Sequence, residues 1–114
     1  MDEQAFETLA EATLQRIADA IESAAEDFGS NIDVELDGGV LTIELDAGGT
    51  CLVNKHAPLQ QLWVSSPVSG ASHYAWDETA GTWVSTRGGG ALLPMLAREF
   101  SEVAGISLDL EGES

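Results

Sequence analysis

Positive charge is scarce in this chain: only Arg16, Lys55, Arg87 and Arg98 face twenty Asp and Glu residues, for a formal net charge of −16. Nucleic acid is thereby excluded as a partner, because affinity for a phosphate backbone comes from counterions released by Lys and Arg, and four scattered cations make no patch. Anionic membrane surfaces are disfavoured on the same ground. Cations and basic protein surfaces remain, since a field of this sign concentrates both. Cysteine is nearly absent as well. Cys51 alone allows neither an intramolecular disulfide nor a paired-thiol zinc or redox motif, and it suits a reducing compartment. No apolar run approaches the roughly 20 residues of a membrane span, and Met1-Asp2-Glu3 opens without the basic and apolar regions of a leader. A cytoplasmic location is expected. Enzyme signatures are also missing: there is no GxSxG, P-loop or HExxH, and the two histidines, His56 and His73, lack metal-ligand spacing.

With 44% apolar and 21% charged residues the composition is that of a folding chain. Its length suits one domain, placed at residues 3–110 and followed by a frayed acidic tail at 111–114. Phe6, Leu9, Ala10, Leu14, Ile17, Ile21, Ala24 and Phe28 recur at steps of three and four, which predicts a helix from Glu3 to Phe28 stopped by Gly29-Ser30-Asn31. The period then becomes two. Ile32, Val34 and Leu36 alternate with Asp33, Glu35 and Asp37, and Gly38-Gly39 turns the chain into Val40 to Leu45. Further strands are expected at Thr50 to Asn54, Gln61 to Ser65, Ser72 to Trp76 and Thr82 to Ser85. Gly88-Gly89-Gly90 leads into a second helix up to Ala104, starting near Ala91 or Leu92 because Pro94 is tolerated only in a first turn. Ile106-Ser107-Leu108-Asp109-Leu110 should pack against the helices. The fold class is α+β: a two-layer sandwich with both terminal helices on one face of an antiparallel sheet of five or six strands, leaving the other face for water or a partner.

Two surfaces could carry chemistry. On a helical wheel Glu11, Asp19, Glu22 and Glu26 fall within about 80° of each other, opposite the apolar stripe. Asp19, Glu22 and Glu26 stand at i, i+3 and i+7 with no Lys or Arg interleaved to make the i,i+4 pairs of an ordinary solvated helix. Asp33, Glu35 and Asp37 continue the acidic field on the non-core face of the first strand. Carboxylates suit hard cations rather than zinc or copper, and ligands standing apart on a rigid helix should bind weakly. A merely solvated face is the competing reading of the same stripe. The second surface centres on Trp63, which alternation sends to the uncovered sheet face while Leu62 and Val64 face the helices. An exposed Trp there is a natural docking anchor, and filler packing against Trp76, Trp83 or Tyr74 is the alternative. His73 and His56 are expected at surface or turn positions.

Gly39-Val40-Leu41-Thr42-Ile43, Gly49-Thr50, Asn54-Lys55, Pro58, Gln61-Leu62-Trp63-Val64-Ser65-Ser66-Pro67, Ser69-Gly70, Tyr74, Trp76 and Trp83 together resemble the frataxin family, of the bacterial CyaY type and close to the mitochondrial members. The likeness runs in unbroken order from about Phe6 to Leu110. It implies a sandwich of the same architecture. It also implies weak iron binding, as Fe2+ or Fe3+, on the first helix and strand, where Asp19, Glu22, Glu26, Asp27, Asp33 and Glu35 occupy the family's acidic region and Glu11 extends it. Asn54, Gln61 and Trp63 match the sheet residues with which members engage a cysteine desulfurase and its iron–sulfur scaffold protein, and Lys55 and Pro58 complete that motif. His73 stands where mitochondrial members commonly carry Arg, and His56 where they carry Gln. A neutral imidazole does not make the ion pair that Arg would. The function implied is that of an iron donor or sensor and regulator of the desulfurase–scaffold complex, acting as a monomer. A ferroxidase oxidising Fe2+ to Fe3+, or a binding module for which metal is incidental, are the alternatives.

Overall fold

The computed structural model describes residues 1–29, 31–45, 48–88, 90–108 and 110. Helix α1 (Glu3–Phe28) is followed by six strands, β1 (Asp33–Asp37), β2 (Val40–Glu44), β3 (Thr50–His56), β4 (Gln61–Ser66), β5 (Gly70–Asp77) and β6 (Thr82–Ser85), and then by helix α2 (Leu92–Ala104). The strands form one antiparallel sheet in sequence order. The two-layer α+β architecture is thus the expected one, with six strands rather than five. Strands β3 and β5 run two or more residues beyond the alternating cores that marked them in sequence. Ser30, Gly89, Asp109 and the expected fraying of 111–114 lie outside the described residues.

The first helix begins where the Asp2 carboxylate accepts the Ala5 N–H at 2.7 Å and ends where Gly29, at φ 67°, turns its own N–H back to the carbonyls of Ala25 and Glu26. Phe6, Ala10, Leu14, Ile17 and Ile21 are buried along its inner face against Leu41, Ile43, Val53, Leu62 and Val64 of the sheet. Each of the large side chains among them contributes about 1.5–3 kcal/mol on leaving water. Phe28 departs from the expected stripe. It is 56% exposed, although its angular position is correct. The helix has 26 residues and so runs about 39 Å, whereas strands of four to eight residues reach at most about 27 Å, so the helix outruns the strands beneath it.

Gly38 and Gly39, at φ 59° and 81°, form the β1–β2 turn, with positive φ at both central positions as a two-residue hairpin requires. Pro94 sits at the third position of α2, inside its first turn, where no helical N–H is lost. The tail after α2 packs as expected: Ile106, Leu108 and Leu110 are buried, and the Arg16 guanidinium on α1 donates to the Leu110 carbonyl at 2.9 Å.

Two polar groups are buried inside this apolar frame. Trp83 donates its Nε1–H to Thr13 Oγ1 at 3.0 Å, joining β6 to α1. Glu99 on α2 accepts the hydroxyls of Ser66 and Ser69, each at 2.5 Å, while Ser66 Oγ accepts the N–H groups of Val68 and Ser69. The β4–β5 turn is thereby latched to the second helix. Cys51 lies buried on the same side, and burial first, then the negative field of Glu99, pushes its thiol up to about 12.

Candidate functional site

The helical acids divide into three positions. Asp19, Glu22 and Glu26 are exposed along the outer crest of α1. Glu11 is different, for its Oε2 accepts from Lys55 Nζ on β3 at 2.9 Å, and Glu7 takes the same ammonium from one helical turn earlier. Asp27 stands on the opposite flank, lining a groove with Arg16, Asp19 and Ser107. Within the crest, Asp19 Oδ1 accepts from Gln15 Nε2 at 2.9 Å, which leaves its second oxygen to solvent.

Asp33 and Glu35 are exposed on β1, the edge strand, and project from the uncovered sheet face while α1 packs on the other. The two acidic sets therefore belong to different layers that meet around the β1 edge. Among the described residues no three His, Cys, Asp or Glu side chains converge as a ready-made metal cluster. The arrangement offers separate hard oxygen donors, suited to weak, largely hydrated cation binding rather than to an enclosed site.

Lys55 is the one partner-face candidate that leaves that face. Strand alternation turns it to the helix layer, where its side chain is only 15% exposed. Its hydrogen bonds to Glu7 and then Glu11 raise its pKa above the usual lysine range. No local pattern marks this pairing, since 44 and 48 positions separate the partners. A side chain at Gly39 would place Cβ 2.9 Å from Lys55 Cε, so the glycine serves the ammonium's path as well as the turn.

The remaining partner-face candidates come together on the uncovered sheet face. Asn54, Trp63 and His73 are laterally paired across β3, β4 and β5, and His56 pairs with Gln61 in the neighbouring row. Trp63 is half-buried rather than bare, and its cover is none of the aromatics anticipated. Trp76 and Trp83 pack edge-to-face on the helix side, with centroids 5.5 Å apart, and Tyr74 is buried there too. Instead His56 lies flat on one face of the indole, with ring centroids 3.9 Å apart, and His73 on the other at 4.2 Å; both stacks are within 7° of parallel. Gln61 Oε1 accepts the indole Nε1–H at 2.8 Å, and His56 Nδ1 accepts the Leu59 N–H at 3.3 Å. Both histidines are strand residues, not turn residues. Asn54 Nδ2 makes a long 3.5 Å contact to the Lys55 carbonyl.

A family model described as a frataxin-like domain matches residues 1–106. The chain belongs to the frataxin family. It is 40% identical over 98 residues to the mitochondrial frataxin homolog of Schizosaccharomyces pombe, a match covering 85% of this chain and 62% of that protein. It is 36% identical over 110 residues to the iron-sulfur cluster assembly protein CyaY of Ralstonia pickettii, covering 96% of this chain and 95% of that one. In structure it is similar to frataxin from Psychromonas ingrahamii, with a TM-score of 0.78 and 26% identity over 96% of this chain and 97% of that one. It is also similar to trimeric Saccharomyces cerevisiae frataxin complexed with ferrous, with a TM-score of 0.74 and 33% identity over 92% and 88% of the two chains. Two helices on a six-stranded antiparallel sheet is thus the family architecture, and no described helix is long and apolar enough to cross a membrane.

Proposed function

We propose that this chain serves iron–sulfur cluster assembly in the bacterial cytoplasm, offering weakly held iron on the α1 crest and docking on a cysteine desulfurase–scaffold complex through the face around Trp63. The observation that carries the reading is the indole held flat on the uncovered sheet face, its polar edge fixed by Gln61, on the same face as Asp33 and Glu35 of the edge strand three strands away. An aromatic anchor of large area and little residual freedom is what a docking face needs, and surrounding carboxylates favour a basic partner. Relatives named for iron–sulfur cluster assembly support the role, and a structural neighbour complexed with ferrous supports iron as cargo.

The test is Trp63→Ala in a pull-down with the desulfurase and scaffold, with and without Fe2+. Retained folding with lost capture supports docking; unchanged capture refutes it. Selective paramagnetic broadening at Asp19, Glu22 and Glu26 supports the crest as the iron surface, and uniform or absent broadening leaves only a protein-binding module. Oxygen consumption with Fe2+ separates the donor from the ferroxidase, because only the latter turns over. We take the working unit as a monomer, which sedimentation with and without iron checks.

A further inference from the structure

We propose that His56 and His73 are positioning residues that clamp Trp63 in a proton-sensitive way, so that docking through this face weakens as pH falls. This deepens the docking reading above and rests on it. The two imidazoles cover both faces of one indole at 3.9 and 4.2 Å, each within 7° of parallel, which fixes the ring's plane from both sides. One imidazole is also fixed at its edge, since His56 Nδ1 accepts the Leu59 N–H from the β3–β4 turn. Only a ring with a lone pair on Nδ1 accepts that bond. Imidazole gains its second proton between about pH 5 and 8, within the range cells visit.

The surroundings make these two groups the charge-setting ones. Strand β4 presents Gln61, Trp63 and Ser65 to this face, and β6 presents Thr82 and Val84, none of which titrates there. The β3–β4 turn contributes only Ala57, Pro58, Leu59 and Gln60. Asp77 ends β5 two residues beyond Ala75, which shares a row with Gln61 and His56, and its Oδ1 accepts the N–H groups of Thr79 and Ala80; Arg87, a fixed charge over this pH range, follows Thr86, whose N–H donates to the His73 carbonyl at 2.9 Å. Asp37 on β1 ends the cross-strand row of Val40, Asn54, Trp63 and His73, three strands from the indole, while Glu35, Asp33 and Glu44 lie progressively further toward the other end of the face. Lys55 points to the other layer. Protonation thus adds positive charge at the centre of a face whose rim is acidic, opposes a basic partner, and ends the Leu59 bond that holds His56.

The clamp is tested on the intact chain by NMR, following the Trp63 indole Nε1–H and both imidazole C–H signals from pH 8 to pH 5.5. We expect the Trp63 signal to move with the histidine midpoints, and to lose that pH dependence in His56→Phe/His73→Phe, where flat rings remain but cannot take a proton. A Trp63 signal indifferent to histidine titration, or one that still titrates in the double variant, overturns the proposal. Affinity for the desulfurase–scaffold complex should fall about fivefold from pH 8 to pH 6 in the wild type and stay level in the Phe variant. Equal or tighter wild-type binding at pH 6 overturns the regulatory claim. The docking reading fails separately, if Trp63→Ala binds as well as wild type at pH 8; the NMR coupling then still decides the clamp.

Discussion

Trp83 on β6 and Thr13 on α1 share a buried hydrogen bond of 3.0 Å, indole N–H to hydroxyl oxygen, and the hydroxyl in turn donates to the Leu9 carbonyl at 2.9 Å. The pair ties the last strand to the first helix through a core otherwise built of apolar contacts. Thr13→Val keeps the shape and strands the indole N–H. It should lower unfolding free energy by about 1–3 kcal/mol in urea titration, while Thr13→Ser should lose clearly less.

Lys55 draws Glu7 and Glu11 together across the helix–sheet interface. Lys55→Met leaves two carboxylates one turn apart without their counterion. A loss of about 1 kcal/mol at low salt, shrinking in high salt, is expected from chemical denaturation. Because the folded ammonium has a raised pKa, its stabilisation is whole below the ordinary lysine value and disappears as pH climbs through the folded one. Gly39→Ala should reproduce part of the defect, combining a φ of 81° with a 2.9 Å approach to Lys55 Cε.

Cys51 should resist alkylation in the native protein at pH 8 and react on unfolding, as counted by mass spectrometry with iodoacetamide. Its thiol keeps its proton to about 12 when folded, against an ordinary value of 9.0. Between those limits the unfolded chain releases the proton and the folded one does not, so stability falls with rising pH, by at most about 1.4 kcal/mol per unit. Cys51→Ala should flatten that slope.

The crest offers a different sign of change. Glu22→Gln with Glu26→Gln removes like charges at helical i,i+4 spacing, and thermal melting at low salt should show a gain of a few tenths of a kcal/mol or more. Iron-dependent broadening should weaken in the same variant. A drop in stability would show that these carboxylates support the helix instead.

What could be read in advance divides along the length scale of the interactions. Helix α1, the Gly38-Gly39 hairpin and the start of α2 at Pro94 are local matters of period and backbone freedom, and their positions follow from neighbouring residues. The face occupied by Trp63 was equally legible, because alternation with Leu62 and Val64 decides it. Its companions were not: His56 and His73 reach the indole only through the β3–β4 and β4–β5 registers, which no single strand encodes. The pairing of Lys55 was hidden because its counterions lie on another element, and the exposure of Phe28 because periodicity reports an angle and not where a sheet ends. The carboxylates of Asp19, Glu22 and Glu26 stand where the wheel puts them; whether they meet a cation is a property of the solution around them.

The seating of Ile106, Leu108 and Leu110 beneath Arg16 has a consequence for how the molecule comes into being. These side chains complete the core beside the first helix, so a domain lacking them has an unfinished interior however complete its sheet. Closure of this domain therefore waits on a segment outside both helices and the sheet, and a form in which that segment is unseated shows leucine and isoleucine surface rather than a nearly native exterior.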